Sequence, residues 1–205
     1  MKKYALVLDL VERLFVVVLY GALIARIVGA IGAQTVSLGN LLLVPSEGMV
    51  LVFVVLRRGS LDVSTRPRDW ALATMATAAP MLVTPDPGHS LVSPALAGSI
   101  IVWGTLVQLH AKLVLGRSFG CVPANRGLKY SGPYRFVRHP MYAGYALAHL
   151  GFALMNASAR NVALYAICSG LQLLRLMAEE RLLGADVRYR RYCAVVRYRV
   201  IPGLF

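Results

Sequence analysis

Arg175, Glu179 and Glu180 close an apolar run, "NVALYAICSGLQLLRLMAEERLL" (161–183), and are the residues that first call for chemistry. Arg175 and Glu179 are four apart and share one helix face, with Glu180 one step around. Ionisable groups at the end of a membrane-length run are costly unless paired, wetted or functional. A structural Arg175–Glu179 ion pair explains them as well as a site does. A second set lies in "RFVRHPMYAGY" (135–145). A residue before proline is held out of the helical region, and proline suits the first helical position, so a helix is predicted to start at Pro140 with His139 extended. Free N–H groups at such a start carry partial positive charge and suit an anion, reinforced by Arg135 and Arg138. A capped helix start with headgroup-facing arginines explains the same residues without a ligand.

Two adjacent carboxylates and several arginines at one membrane level suit a ligand with separated charges. S-adenosylmethionine is such a ligand, with a sulfonium, an ammonium, a carboxylate and two ribose hydroxyls. Glutamates can accept from the ammonium or ribose, and arginines or helix N–H groups can hold the carboxylate. Tyr134 and Tyr142 are placed to flank the adenine or face the sulfonium.

The elements that must position these residues follow from composition. With 58% hydrophobic and 15% charged residues, the chain is too apolar for an ordinary soluble domain. Apolar spans fall near 12–31, 40–56, 70–85, 94–115, 141–156 and 161–178. They predict an all-α, polytopic integral membrane bundle of five to six spans, some short of the ~20 residues a crossing needs. Residues 1–205 are expected to form one membrane domain, with N-terminal spans over 1–115 and a cofactor-binding core with a cytoplasmic cap over 116–205. Pro45 and Pro80 are expected to kink their helices. No cleavable signal peptide is expected from the first run.

The formal net charge of +13 suggests nucleic acid, but its placement argues for a membrane. Lys2, Lys3, Arg57, Arg58, Arg66, Arg68, Arg117, Arg126, Lys129, Arg135, Arg138 and the arginines from Arg181 on fall on one side of the predicted topology. Segments 32–39, 86–93 and 157–160 fall on the other, with Arg160 their only cation. By the positive-inside rule both termini are cytoplasmic. The basic side faces anionic lipid headgroups, and no nucleic-acid partner is expected.

Other residues have plainer readings. Cys121, Cys168 and Cys193 are odd in number and widely spaced, which indicates neither a disulfide framework nor a metal site. His110 and His149 read as packed partners within spans and His89 as a turn residue. Arg26 and Glu47 are expected to pair with each other. Gly116 to Gly120 reads as a turn rather than a helix-packing motif. No glycine fingerprint follows a strand, which excludes a soluble dinucleotide-type methyltransferase fold.

"GPYRFVRHPMYAGY" (132–145), Arg175 with "EERLL" (179–183), and then Tyr189, Tyr192 and Pro202 together resemble the isoprenylcysteine carboxyl methyltransferase family, to which phospholipid methyltransferases are related. The resemblance covers about residues 115–205. It implies an integral membrane methyltransferase that binds S-adenosylmethionine on the cytoplasmic side and receives a lipophilic substrate from the bilayer. Position by position, it implies cofactor contacts from Gly127, Leu128 and Lys129, and from Tyr134, Arg138, His139, Pro140, Met141 and Tyr142. It further implies that Glu179, with Glu180 beside it, supplies the cofactor carboxylate. Arg175 matches the arginine tied to the substrate carboxylate and to methyl transfer, which makes Arg175 and Glu179 the catalytic candidates.

The expected activity is therefore methyl transfer to a lipophilic acceptor, with carboxyl O-methylation favoured because a carboxylate needs no general base. Three alternatives stay open: phospholipid amine N-methylation, a membrane reductase with a similar C-terminal pattern, and a scaffold or transporter without chemistry.

Overall fold

The protein is described by a computed structural model that covers residues 2–32, 48–57, 59, 62–84 and 86–205. Glu47, Pro45, the Arg26 side chain and nearly all of segment 32–39 lie outside the described residues, and with them the expected Arg26–Glu47 pair. The helices are α1 (Lys2–Gly32), α2 (described over 48–56), α3 (Pro67–Ala78), α4 (Pro94–Leu115), α5 (Pro140–Met155), α6 (Ala159–Leu183) and α7 (Val187–Val195). The only strands among the described residues are β1 (Asp62–Val63) and β2 (Ala124–Asn125), paired antiparallel.

Local chemistry sets the boundaries. Ser93 caps α4 by accepting from the Leu96 N–H at 3.3 Å, with Pro94 at the first helical position. Gly116 ends α4 at φ +49°, a conformation that favours glycine, so the Gly116–Gly120 stretch is a turn. Pro80 ends α3 rather than merely kinking it: regular helix stops at Ala78 and one 3-10 turn, Ala79–Leu82, follows.

Within the described residues, two helical stretches are long and apolar enough to cross a membrane, Pro94–Ser118 and Ala159–Leu183, each of 25 residues. α5 has only 16 residues, a length that needs help from its flanks or a tilt. It leans on α4 through small residues. A Cβ at Gly104 would strike the Ala148 backbone, and one at Gly144 the Gln108 backbone. Such close backbone approach replaces the hydrophobic drive that helices lack in lipid.

The two ends of the bundle differ. At one end Leu91 N–H donates to Leu154 O and Ala157 N–H to His89 O, both at 2.9 Å, while Asn161 Nδ2 reaches Thr84 O at 2.8 Å. At the other end stand the β ribbon, the loop from α4 to α5, α7 and the C-terminal tail. The residues with candidate chemistry all gather at this second end.

Candidate active site

The loop after α4, the start of α5, the end of α6 and the inner face of α7 line a cleft. The loop contributes Gly127, Leu128 and Lys129 to the lining. Gly127 has φ +92°, a turn that a side chain would oppose. The segment leading into α5 and its first turn contribute Tyr134, Arg138, His139, Met141 and Tyr142, and α6 contributes Glu179. Tyr189 and Tyr192 of α7 close the cleft from the outer side. Burial pushes the Tyr134 phenol well above its usual pKa, so this ring stays neutral.

Glu179 presents its carboxylate to the cleft and accepts the Tyr142 hydroxyl at Oε1 over 2.6 Å. Arg175 lies behind Tyr142, with its guanidinium carbon 5.8 Å from the ring centroid. The expected Arg175–Glu179 proximity is present, at 3.6 Å from Nε to Oε1, which is ion-pair distance but too long for a hydrogen bond. Arg175 is 4% exposed and its Nε has no hydrogen-bond partner. Among the described residues its one hydrogen bond, from Nη2 to Gly120 O, is long at 3.4 Å. A buried cation with an unfilled Nε donor is costly by itself, and Glu179 is the anionic group at ion-pair distance from it.

Glu180 has different work. It accepts Arg138 Nη1 and Arg199 Nε at 2.7 Å each, faces His139 Nε2 at 3.2 Å and takes the Tyr189 hydroxyl at 3.3 Å. Burial alone would depress the Arg138 guanidinium, but Glu180 outweighs it and raises its pKa. The cluster pins the C-terminal tail across the start of α5, where Tyr198 O and Arg199 O accept the Arg138 and His139 N–H groups at 2.9 and 2.8 Å. Those two N–H groups therefore serve the tail and are not offered to a ligand. Glu180, Pro140 and Arg175 do not line the cleft; Arg175 stands beside two residues that do, Glu179 and Tyr142.

The sequence reading missed what supports the cleft from beneath. Glu12 of α1 is fully buried and accepts the N–H groups of Cys121 and Val122 at 2.6 and 2.9 Å. Its other oxygen meets Arg57 at 3.0 Å and Arg126 through a short ion pair. Arg57 in turn binds Asp9 at 2.8 Å. This network fixes the loop that carries Gly120, Val122 and Gly127 into the cleft. No spacing signalled it, because Glu12 and its partners lie on separate elements.

The cleft's donor set matches the separated charges of S-adenosylmethionine. Glu179 offers a carboxylate, Lys129 and Arg138 offer cations, and four tyrosines offer rings. The family model for phospholipid methyltransferases matches residues 90–185, a segment that spans α4 to the end of α6 and agrees with the methyltransferase relationship read from the sequence. That family points to a membrane methyltransferase, and its members generally use S-adenosylmethionine. No curated protein matches the chain.

Proposed function

We propose that this protein transfers a methyl group from S-adenosylmethionine to a lipophilic acceptor bearing a carboxylate. The observation that carries the proposal is the placement of Glu179 in the cleft with Arg175 directly behind Tyr142. When bound, the cofactor supplies an electrophilic methyl carbon on a sulfonium. Glu179, Lys129 and the Gly127–Lys129 strip hold it, and the tyrosines flank its ring and exclude water. Arg175 orients the acceptor carboxylate through its free Nε and neighbouring donors. A carboxylate is already ionised, so no side chain has to remove a proton.

The matched family favours a second reading, N-methylation of a phospholipid amine. An ammonium must lose a proton before it attacks, and the bases near the cleft are engaged: His139 with Glu180, and Glu179 with Tyr142. The buried Arg175 also repels a cationic acceptor. Both features favour the carboxylate.

The experiment is incubation of the purified protein with methyl-labelled cofactor and membrane lipid extract. Label released by mild base as volatile methanol identifies a methyl ester and supports the carboxylate. Label that mild base leaves non-volatile, on an amine headgroup, would establish the amine reading instead. The proposed topology has five to six crossings with both termini cytoplasmic. Terminal tags should be digested in inside-out vesicles, and tags protected there would reverse the orientation.

A further inference from the structure

α7 has two working faces. At about 100° per residue, Tyr189, Tyr192 and Val196 share one side, while Val187, Arg191 and Ala194 share the other. The first side is buried and supplies the cleft wall. The second is exposed and mixes apolar with cationic residues: Val187 is 51% and Val195 82% exposed, and Arg188, Arg190 and Arg191 are exposed between them. The tail continues the pattern with exposed Arg197, Ile201 and Leu204, and the turn before α5 adds Arg135 and Phe136 at 72% exposure.

Two further observations name what this face meets. Asp186 is paired with Arg188 at 2.9 Å and Glu180 with Arg138 and Arg199 at 2.7 Å each. Among the described residues, Arg190, Arg191 and Arg197 have no carboxylate in an ion pair, and these three give the face its net positive charge. α7 also begins at Val187, just past Leu183 at the end of a candidate membrane span, which sets it at the level of the headgroups. Short apolar side chains that dip below arginines are the signature of a helix lying in a membrane interface, and basic clusters beside a span attract anionic lipid.

We propose that α7 and the tail dock on an anionic phospholipid surface, and that this docking tightens the cleft because the inner face of the same helix is the cleft wall. The surface contact stands without the proposed function; the coupling to cofactor affinity rests on that reading. Neutral bilayers leave α7 and the tail held from the inside, by the Glu180 cluster and the bonds from Arg138, His139 and Tyr192, whereas anionic bilayers add an attachment on the outer face.

The test uses the full-length protein in phosphatidylcholine nanodiscs, with and without phosphatidylglycerol. Val195→Trp reports contact through quenching by brominated acyl chains, measured against the unsubstituted protein to remove the Trp70 and Trp103 background. Stronger quenching in the anionic discs is expected, and its loss in Val195→Trp combined with Arg191→Gln and Arg197→Gln. Equal or absent quenching in both discs overturns the docking surface. Titration with S-adenosylhomocysteine should give a dissociation constant lower by about fivefold in the anionic discs, an ordinary coupling between two sites. The Arg191→Gln, Arg197→Gln protein should lose that difference. Equal affinity in both discs with docking intact overturns the coupling. No binding in either disc overturns the coupling together with the proposed function, while the quenching still decides the surface.

Discussion

The Tyr142 hydroxyl donates to Glu179 at 2.6 Å while the Tyr142 ring lies 5.8 Å from the guanidinium carbon of Arg175. Arg175 Nε is itself 3.6 Å from Glu179 Oε1, so one carboxylate oxygen meets both the phenol and the cation. The proposed roles, Glu179 holding the cofactor and Arg175 the acceptor, are separable by substitution.

Arg175→Lys tests the acceptor role. A lysine keeps the charge beside Glu179 but not the planar, two-pronged donor geometry. Single-turnover methyl transfer should fall by about tenfold or more, equivalent to ~1.4 kcal/mol of lost transition-state stabilisation, with cofactor affinity little changed. Near-normal turnover would reduce Arg175 to a structural partner of Glu179.

Glu12→Gln tests the buried support beneath the loop. The amide still accepts from Cys121 or Val122, but Arg57 and Arg126 lose their shared counter-charge. Breaking a buried pair on one side commonly costs about 3–5 kcal/mol. Thermal unfolding in detergent should shift markedly downward, whereas Glu12→Asp should recover part of the loss. An unchanged transition would mean that the network contributes little.

Asp69 should make stability depend on acid. Burial raises its carboxyl, yet hydrogen bonds from Arg181 and Ser64 outweigh burial and hold the pKa below the usual value. The folded pKa is depressed, so the stabilisation is present above the unfolded value of about 3.9 and is lost as pH falls through the lower folded value. Asp69→Asn should therefore lie below wild type near neutral pH, and the gap should narrow as pH drops below about 4. Melting curves across that range decide it; a constant gap contradicts the assignment.

Much of the candidate site was legible because its residues come in contiguous stretches. Tyr134 and His139–Tyr142 announce themselves through aromatic and His-Pro patterns, while Gly127–Lys129 came from the family resemblance; His139 lies outside the helical region before α5, at φ −130° and ψ 60°, but is not extended. The apolar runs 94–115 and 161–178 also located α4 and most of α6. What stayed hidden depends on distant pairing. Glu179 and Glu180 are adjacent, and sequence could not show that Glu180 turns toward Arg199 and the tail while Glu179 turns toward the cleft. Glu12 sits in an apolar run 109 residues before Cys121, whose N–H it accepts, so no local pattern connects them. The Arg138 and His139 N–H groups, just before α5, are likewise taken by a tail that no local pattern placed there.

Calorimetric titration of S-adenosylmethionine into the purified protein, beside its Glu179→Gln variant, tests the central claim most directly. Wild type should bind, and the variant should bind more weakly by about 1.5–3 kcal/mol, the usual worth of a hydrogen bond to a charged group. Glu180→Gln should change affinity less, since Glu180 does not line the cleft. Absent binding by wild type, or equal affinity in a folded Glu179→Gln protein, would contradict the account.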